Sequence, residues 1–185
     1  MKTRATNIPM KKPAEGIDDL GECDKERVAY HEAGHAIVAI AHGCSVFRTH
    51  ISVNYEVFKI LGERRWEGAC KYHNSRPEYE PLIAAAGIVA ELILSGGWSP
   101  DCWLDIEVSE LSEPDSVGIH MAERWDECFL RTHAILAEKW EIVDRVARAL
   151  MEWRLLTEED LLQLVFPVTE SAAASSSAGK PKALA

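Results

Sequence analysis

Tyr30-His31-Glu32-Ala33-Gly34-His35 is the stretch on which the reading of this 185-residue chain turns. It matches H-E-x-x-H, and on a helix that spacing has a mechanical meaning. His31 and His35 stand one turn apart on one face, so both imidazoles reach a single tetrahedral ion, and Glu32 lies on the same rim as a base. The flanking residues predict the helix over residues 25–42. Asp24 is the expected N-cap and Glu26 complements the positive end of the dipole. Val28, His31, Glu32, His35, Val38 and Ala39 then recur at helical spacing until Gly43 provides a stop. Tyr30, Ala33, Gly34, Ala36, Ile37 and Val38 make most of the circumference apolar. The helix is therefore expected to be buried, and buried imidazoles with a buried carboxylate need a partner. An amphipathic surface helix with two solvent-facing histidines fits this pattern less well.

Downstream, the β-branched and alternating residues 46–53 predict a strand, and residues 66–72 predict another after a polar turn region containing Gly62, Glu63, Arg64 and Arg65. Such a hairpin or small sheet has two readings, a cover for the core or an edge that pairs with an extended peptide. His50 and His73 fall here and are left outside the site. Residues 81–94 are apolar on all sides and end at Ser95-Gly96-Gly97, which predicts a central helix with Pro81 near its start and Gly87 allowing close approach of a neighbour. Glu91 is then a buried carboxylate that must meet a cation, a metal or a histidine N–H.

Residues 98–114 read as a loop, and Val117, Met121, Trp125, Cys128 and Phe129 mark an amphipathic helix after it. Asp115, in Ser112-Glu113-Pro114-Asp115, reads as a capping-box carboxylate or as an inward-pointing metal ligand, and the local pattern favours the cap. A further long helix is predicted over residues 132–153, and Thr157-Glu158-Glu159-Asp160 caps a short last helix through 165, packed as an antiparallel neighbour.

Composition narrows the class. A chain that is 47% hydrophobic buries one good core, and the expected organisation is a flexible arm (1–22), one domain (23–166) and a disordered Ala/Ser-rich tail (167–185). The fold class is α+β and mainly α-helical. A formal charge of −10 argues against nucleic acid and anionic membrane surfaces as partners. No apolar run approaches the ~20 residues of a membrane span and no signal peptide is evident, so a cytoplasmic location is expected. Cys23, Cys44, Cys70, Cys102 and Cys128 are scattered and lack a C-x-x-C pair, as reduced packing thiols do.

Three segments together resemble the peptidase domain of the FtsH family of ATP-dependent zinc proteases. They are residues 28–36 around the histidines, Ala86-Gly87-Ile88-Val89-Ala90-Glu91-Leu92, and the run from Val146 to Leu161. The resemblance covers about residues 24 to 165 and implies a zincin-like helix, a small sheet and a C-terminal helical bundle. It implies Zn2+ held by His31, His35 and an aspartate placed just before a downstream helix, with Glu32 as the base. Asp115 occupies that place, although Glu113-Pro114-Asp115 replaces the family's Ser-Asn-Asp run, and Asp101 and Asp105 are alternative ligands. Glu91 matches the family's buried glutamate, as a partner of a ligand or, failing that, a ligand itself. Ile88 stands where an arginine is usual.

The membrane anchor and ATPase module of the family have no counterpart in these residues. The resemblance therefore implies a zinc-dependent endopeptidase acting without ATP on flexible or unfolded protein segments, with an ATPase or homo-oligomer partner left open. Tyr72, His73, His120 and backbone N–H groups are the candidate donors to a tetrahedral oxyanion. Two other functions keep the same fold, a non-catalytic zinc-binding interaction module and a regulatory protease of narrow specificity. The intact Glu32 favours catalysis, since binding alone needs no base.

Overall fold

The computed structural model describes residues 18–62, 64–99, 113–120, 122 and 124–167. Residues 1–17 of the expected arm, residues 168–185 of the expected tail, and Asp101, Cys102 and Asp105 lie outside them. The order of elements is α1 (Asp18–Ala41), β1 (Ser45–Val53), α2 (Tyr55–Leu61), β2 (Trp66–His73), α3 (Glu80–Ser95), α4 (Glu113–His120), α5 (Trp125–Glu138), α6 (Trp140–Trp153), β3 (Leu155–Thr157) and α7 (Glu158–Val165). This is the mainly helical α+β class expected, with one antiparallel sheet in the order β2-β1-β3.

α1 is the axis of the fold and packs on α3, α6, β1 and β2. Ala29, Ala33, Ala36 and Ala39 are fully buried along it, and these small side chains let α3 come close. The closest point is Gly34, where a β-carbon would stand 2.5 Å from the Ala86 carbonyl oxygen. Ile37, Ile83, Phe129, Leu136, Leu150, Leu156 and Leu161 complete the core. α1 ends as its sequence predicts: Gly43 takes φ 76°, its N–H donates to the Ile40 carbonyl, and the Cys44 N–H donates to that of Ala39.

Four expectations are corrected. α1 starts at Asp18, so residues 18–22 belong to the helix and not to the arm, and Asp24 is not its N-cap. Asp24 instead accepts the Trp66 backbone N–H at 2.6 Å, tying the second turn of α1 to the start of β2. The polar turn between the strands contains α2, capped by the Asn54 side chain on the Glu56 and Val57 N–H groups and closed by Gly62 at φ 71°. No residue of α2 is buried, and Tyr55, Phe58, Ile60 and Leu61 stand exposed on it. Residues 117–129 are split between α4 and α5, and the single helix over 132–153 is broken at Lys139. No glycine or proline marks that break. α5 lies on α3 whereas α6 lies on α1, and one straight rod cannot follow both.

Within β1 a bulge between Val46 and Arg48 shifts the phase of the alternation. Val46, Thr49 and Ile51 therefore face the core, while Phe47 is turned out. β1 is the central strand, so the outer edges of the sheet among the described residues belong to β2 and to the three-residue β3. Thr157 and Asp160 form the anticipated capping box at α7, with Asp160 accepting from the Thr157 N–H and hydroxyl. No helix among the described residues is long and apolar enough to cross a membrane.

Candidate metal centre

The middle of α1 supplies His31 and His35, whose rings meet edge to face with centroids 4.7 Å apart. Each ring is oriented from behind by α3. His31 donates its Nδ1 hydrogen to Glu91 Oε1 at 2.6 Å, and His35 donates from Nδ1 to the Ile83 carbonyl at 2.7 Å. With both Nδ1 positions committed, both Nε2 lone pairs are left facing forward, which is the tautomer a metal requires.

What they face is Asp115, in the first turn of α4. Its Oδ2 lies 3.3 Å from His31 Nε2 and its Oδ1 lies 3.4 Å from His35 Nε2. One ligand atom from each of the three residues falls within 4.8 Å of the others. Two neutral imidazoles and one carboxylate suit a divalent ion of borderline softness such as zinc, and the trio leaves one tetrahedral position for water or substrate.

Small residues make this convergence sterically available. A β-carbon on Gly87 would stand 2.3 Å from His31 Nε2, and one on Gly118 of α4 would stand 2.4 Å from the Ala84 β-carbon. The glycines let α1 and α4 settle on one face of α3.

Glu32 is 5% exposed, and its Oε2 has no hydrogen-bond partner among the described residues. Burial pushes its carboxyl above the ordinary range. The two imidazoles pull the other way, and the Asp115 charge adds to the rise. Gly68 of β2 is in close contact with it, since a β-carbon there would lie 2.5 Å from Glu32 Oε1. Glu32, the two histidines, Asp115, Gly68, Cys70 and Tyr72 line a common cleft of about 280 Å³ beside β2.

Charge is arranged around the trio in relay. Burial alone would lower the His31 pKa, but its bonds to Asp115 and Glu91 push it up to about 10. Burial raises both carboxyls as well, yet the histidines hold Asp115 well below the usual carboxylate range, and His31 with Arg27 lowers Glu91. Arg27 donates to both oxygens of Glu91 at 3.0 Å and also to Asp24 at 2.9 Å. A continuous chain of charge-assisted bonds thus runs from the Trp66 N–H through Asp24, Arg27 and Glu91 to His31.

The structure brings His31, Glu32, His35, Asp115 and Glu91 together; Glu91 is only partly buried, and it meets both a cation and a histidine N–H. Tyr72 lies in the cleft, whereas His73 is exposed. Arg27, Asp24, Gly68 and the Ile83 carbonyl were not read as site residues. Arg27 had a local signal, being one helical turn before His31 on the same face of α1. Backbone carbonyls and a strand glycine have none.

No family model matches the chain. Curated proteins give two similar sequences, both named ATP-dependent zinc metalloprotease FtsH. The protein of Thermus thermophilus is 27% identical over 87% of this chain and 32% of its own length. That of Methylibium petroleiphilum is 28% identical over 89% of this chain and 33% of its own length. The chain therefore spans about a third of the length of the curated relatives it matches.

Proposed function

We propose that this chain is a zinc-dependent endopeptidase, related to the peptidase portion of FtsH, in which His31, His35 and Asp115 hold the metal and Glu32 is the base. The observation that carries the reading is the unpartnered, buried Glu32 Oε2 beside three ligand atoms already turned toward one point. A binding module would need the ligands but not a costly orphaned carboxylate. Similarity to two zinc metalloproteases over most of the chain supports the same reading.

Bound zinc would acidify water and polarise a scissile carbonyl, the two functions this ion commonly supplies to hydrolases. Glu32, whose proton affinity burial raises, takes the proton of the attacking water and passes it to the leaving amine. Glu91, locked by Arg27, holds the His31 ring in place through that exchange. The free edge of β2 runs beside the cleft and can receive an extended segment by main-chain pairing, with Gly68 leaving room at the base. This chemistry consumes no nucleotide, so flexible or unfolded segments are the substrates the chain cuts unaided.

The test is metal content and cleavage measured together. Purified protein should carry about one zinc per chain. Glu32→Gln should keep the metal and lose peptide cleavage. Full cleavage by that variant removes the mechanism, and equal inactivity of both proteins on unstructured chains, with zinc bound, favours a binding role.

A further inference from the structure

The face of α3 that builds the metal centre carries a stripe spaced at one helical turn: Glu80, Ala84, Gly87 and Glu91. Its middle is small, admitting α4 at Ala84 and the His31 ring at Gly87. Its two ends are carboxylates, and they are treated differently. Glu91 is neutralised by Arg27 and by His31. Glu80 accepts the Tyr72 hydroxyl at 2.7 Å on one oxygen and the Asn74 amide at 3.0 Å on the other, both neutral donors.

No cation forms an ion pair with Glu80 among the described residues. Arg76, four residues earlier, lies over the Tyr79 ring instead. Glu80 lines the same cleft as the ligand trio, together with Tyr72 and Ala84. Two rigid donors therefore hold a half-buried anion at a fixed place in the wall, with its charge uncompensated. Along α3 it stands three residues before Ile83, whose carbonyl anchors His35. That is about 4.5 Å of helix rise, little more than one residue of an extended peptide at about 3.3 Å.

From this placement, and resting on the hydrolytic reading above, we infer that Glu80 is a specificity-determining residue that receives a lysine or arginine side chain lying within two residues of the scissile bond. The incoming ammonium or guanidinium supplies the charge that the fold leaves out. An acidic side chain at that position is repelled. The formal charge of −10 favours encounter with basic segments in general.

The experiment uses the zinc-loaded 185-residue chain and quenched fluorescent peptides that differ at one position, lysine against norleucine, walked across two residues on each side of the cleavage point. At one position kcat/KM for the lysine peptide should exceed that for norleucine by about tenfold or more, the size of a charged hydrogen bond. Glu80→Gln should bring the lysine-to-norleucine ratio of kcat/KM at that position to about one, whatever the absolute rates of the variant. Equal cleavage of the pair at every position by the wild type, or a lysine preference that survives Glu80→Gln, overturns the inference.

Absence of any cleavage by zinc-loaded protein counts against the hydrolytic reading alone. The Glu80 inference is then scored by anisotropy of the same end-labelled peptides on the Glu32→Gln variant. Tighter lysine binding that Glu80→Gln abolishes upholds it, and equal binding of the pair overturns it.

Discussion

The ring of His31 rests on the bare Cα of Gly87: a β-carbon there would come within 2.3 Å of Nε2 and 2.4 Å of Cε1. The ligand on α1 and the missing side chain on α3 are one fitted pair. Gly87→Ala should therefore push the imidazole off its line to Asp115 and weaken zinc binding, at a packing cost of about 1–3 kcal/mol partly offset by better helix propensity. Zinc per chain after dialysis, with a melting curve on the metal-free protein, checks this. Wild-type affinity in a folded variant would show that the ring has room to spare.

Glu91 acts on the metal through His31. Glu91→Gln retains the shape but weakens the acceptor of the Nδ1 hydrogen and leaves the Arg27 guanidinium without its charge partner. The expected result is zinc affinity lower by roughly 10–100-fold, read by competition with a coloured chelator. An unchanged affinity would mean that the ring is held by packing alone.

Gly68 sets the position of the base from the opposite wall. A methyl group there would collide with Glu32 Cγ and Oε1 at 2.4 and 2.5 Å. Gly68→Ala should thus imitate Glu32→Gln, with zinc content unchanged and peptide cleavage falling by roughly 10²-fold or more. Loss of zinc in step with activity would place Gly68 in the support of the ligands instead.

The trio also predicts opposite pH slopes for the metal-free and zinc-loaded chains. In the metal-free chain His31 has a folded pKa of about 10, above its unfolded value of about 6.5. Its contribution to stability is complete below about pH 6.5 and is lost as pH rises through 10. Asp115 and Glu91 are shifted down, so their contribution is present above about pH 4 and disappears in acid. Zinc needs the deprotonated imidazole, so its stabilising increment grows over the same upper range. Melting temperatures with chelator and with zinc, taken from about pH 6 to 9, should diverge; parallel curves would separate His31 from the metal.

Residues close in the chain announced much of this protein. The H-E-x-x-H spacing, the glycine after α1, the all-apolar run of α3 and the Thr157–Asp160 box are local patterns, legible because helix periodicity and capping chemistry act over a few residues. The apolar neighbours of Glu91 predicted full burial, and the structure leaves it partly exposed; the need for a partner followed from the cost of desolvating a charge. For Asp115 the local pattern favoured a cap, and only the family resemblance raised the ligand reading above it, because both place an acid at the start of a helix.

Packing resolved what those patterns left open. Whether the Asp115 carboxylate faces His31 and His35 depends on Gly118 seating α4 against Ala84, a contact between segments more than 30 positions apart. The break at Lys139, the bulge at Phe47 and the pairing of β3 with β1 also arise from what each segment rests on. Local composition carries a preference for helix or strand, whereas convergence of distant side chains is a property of the assembled core, where close packing admits few arrangements.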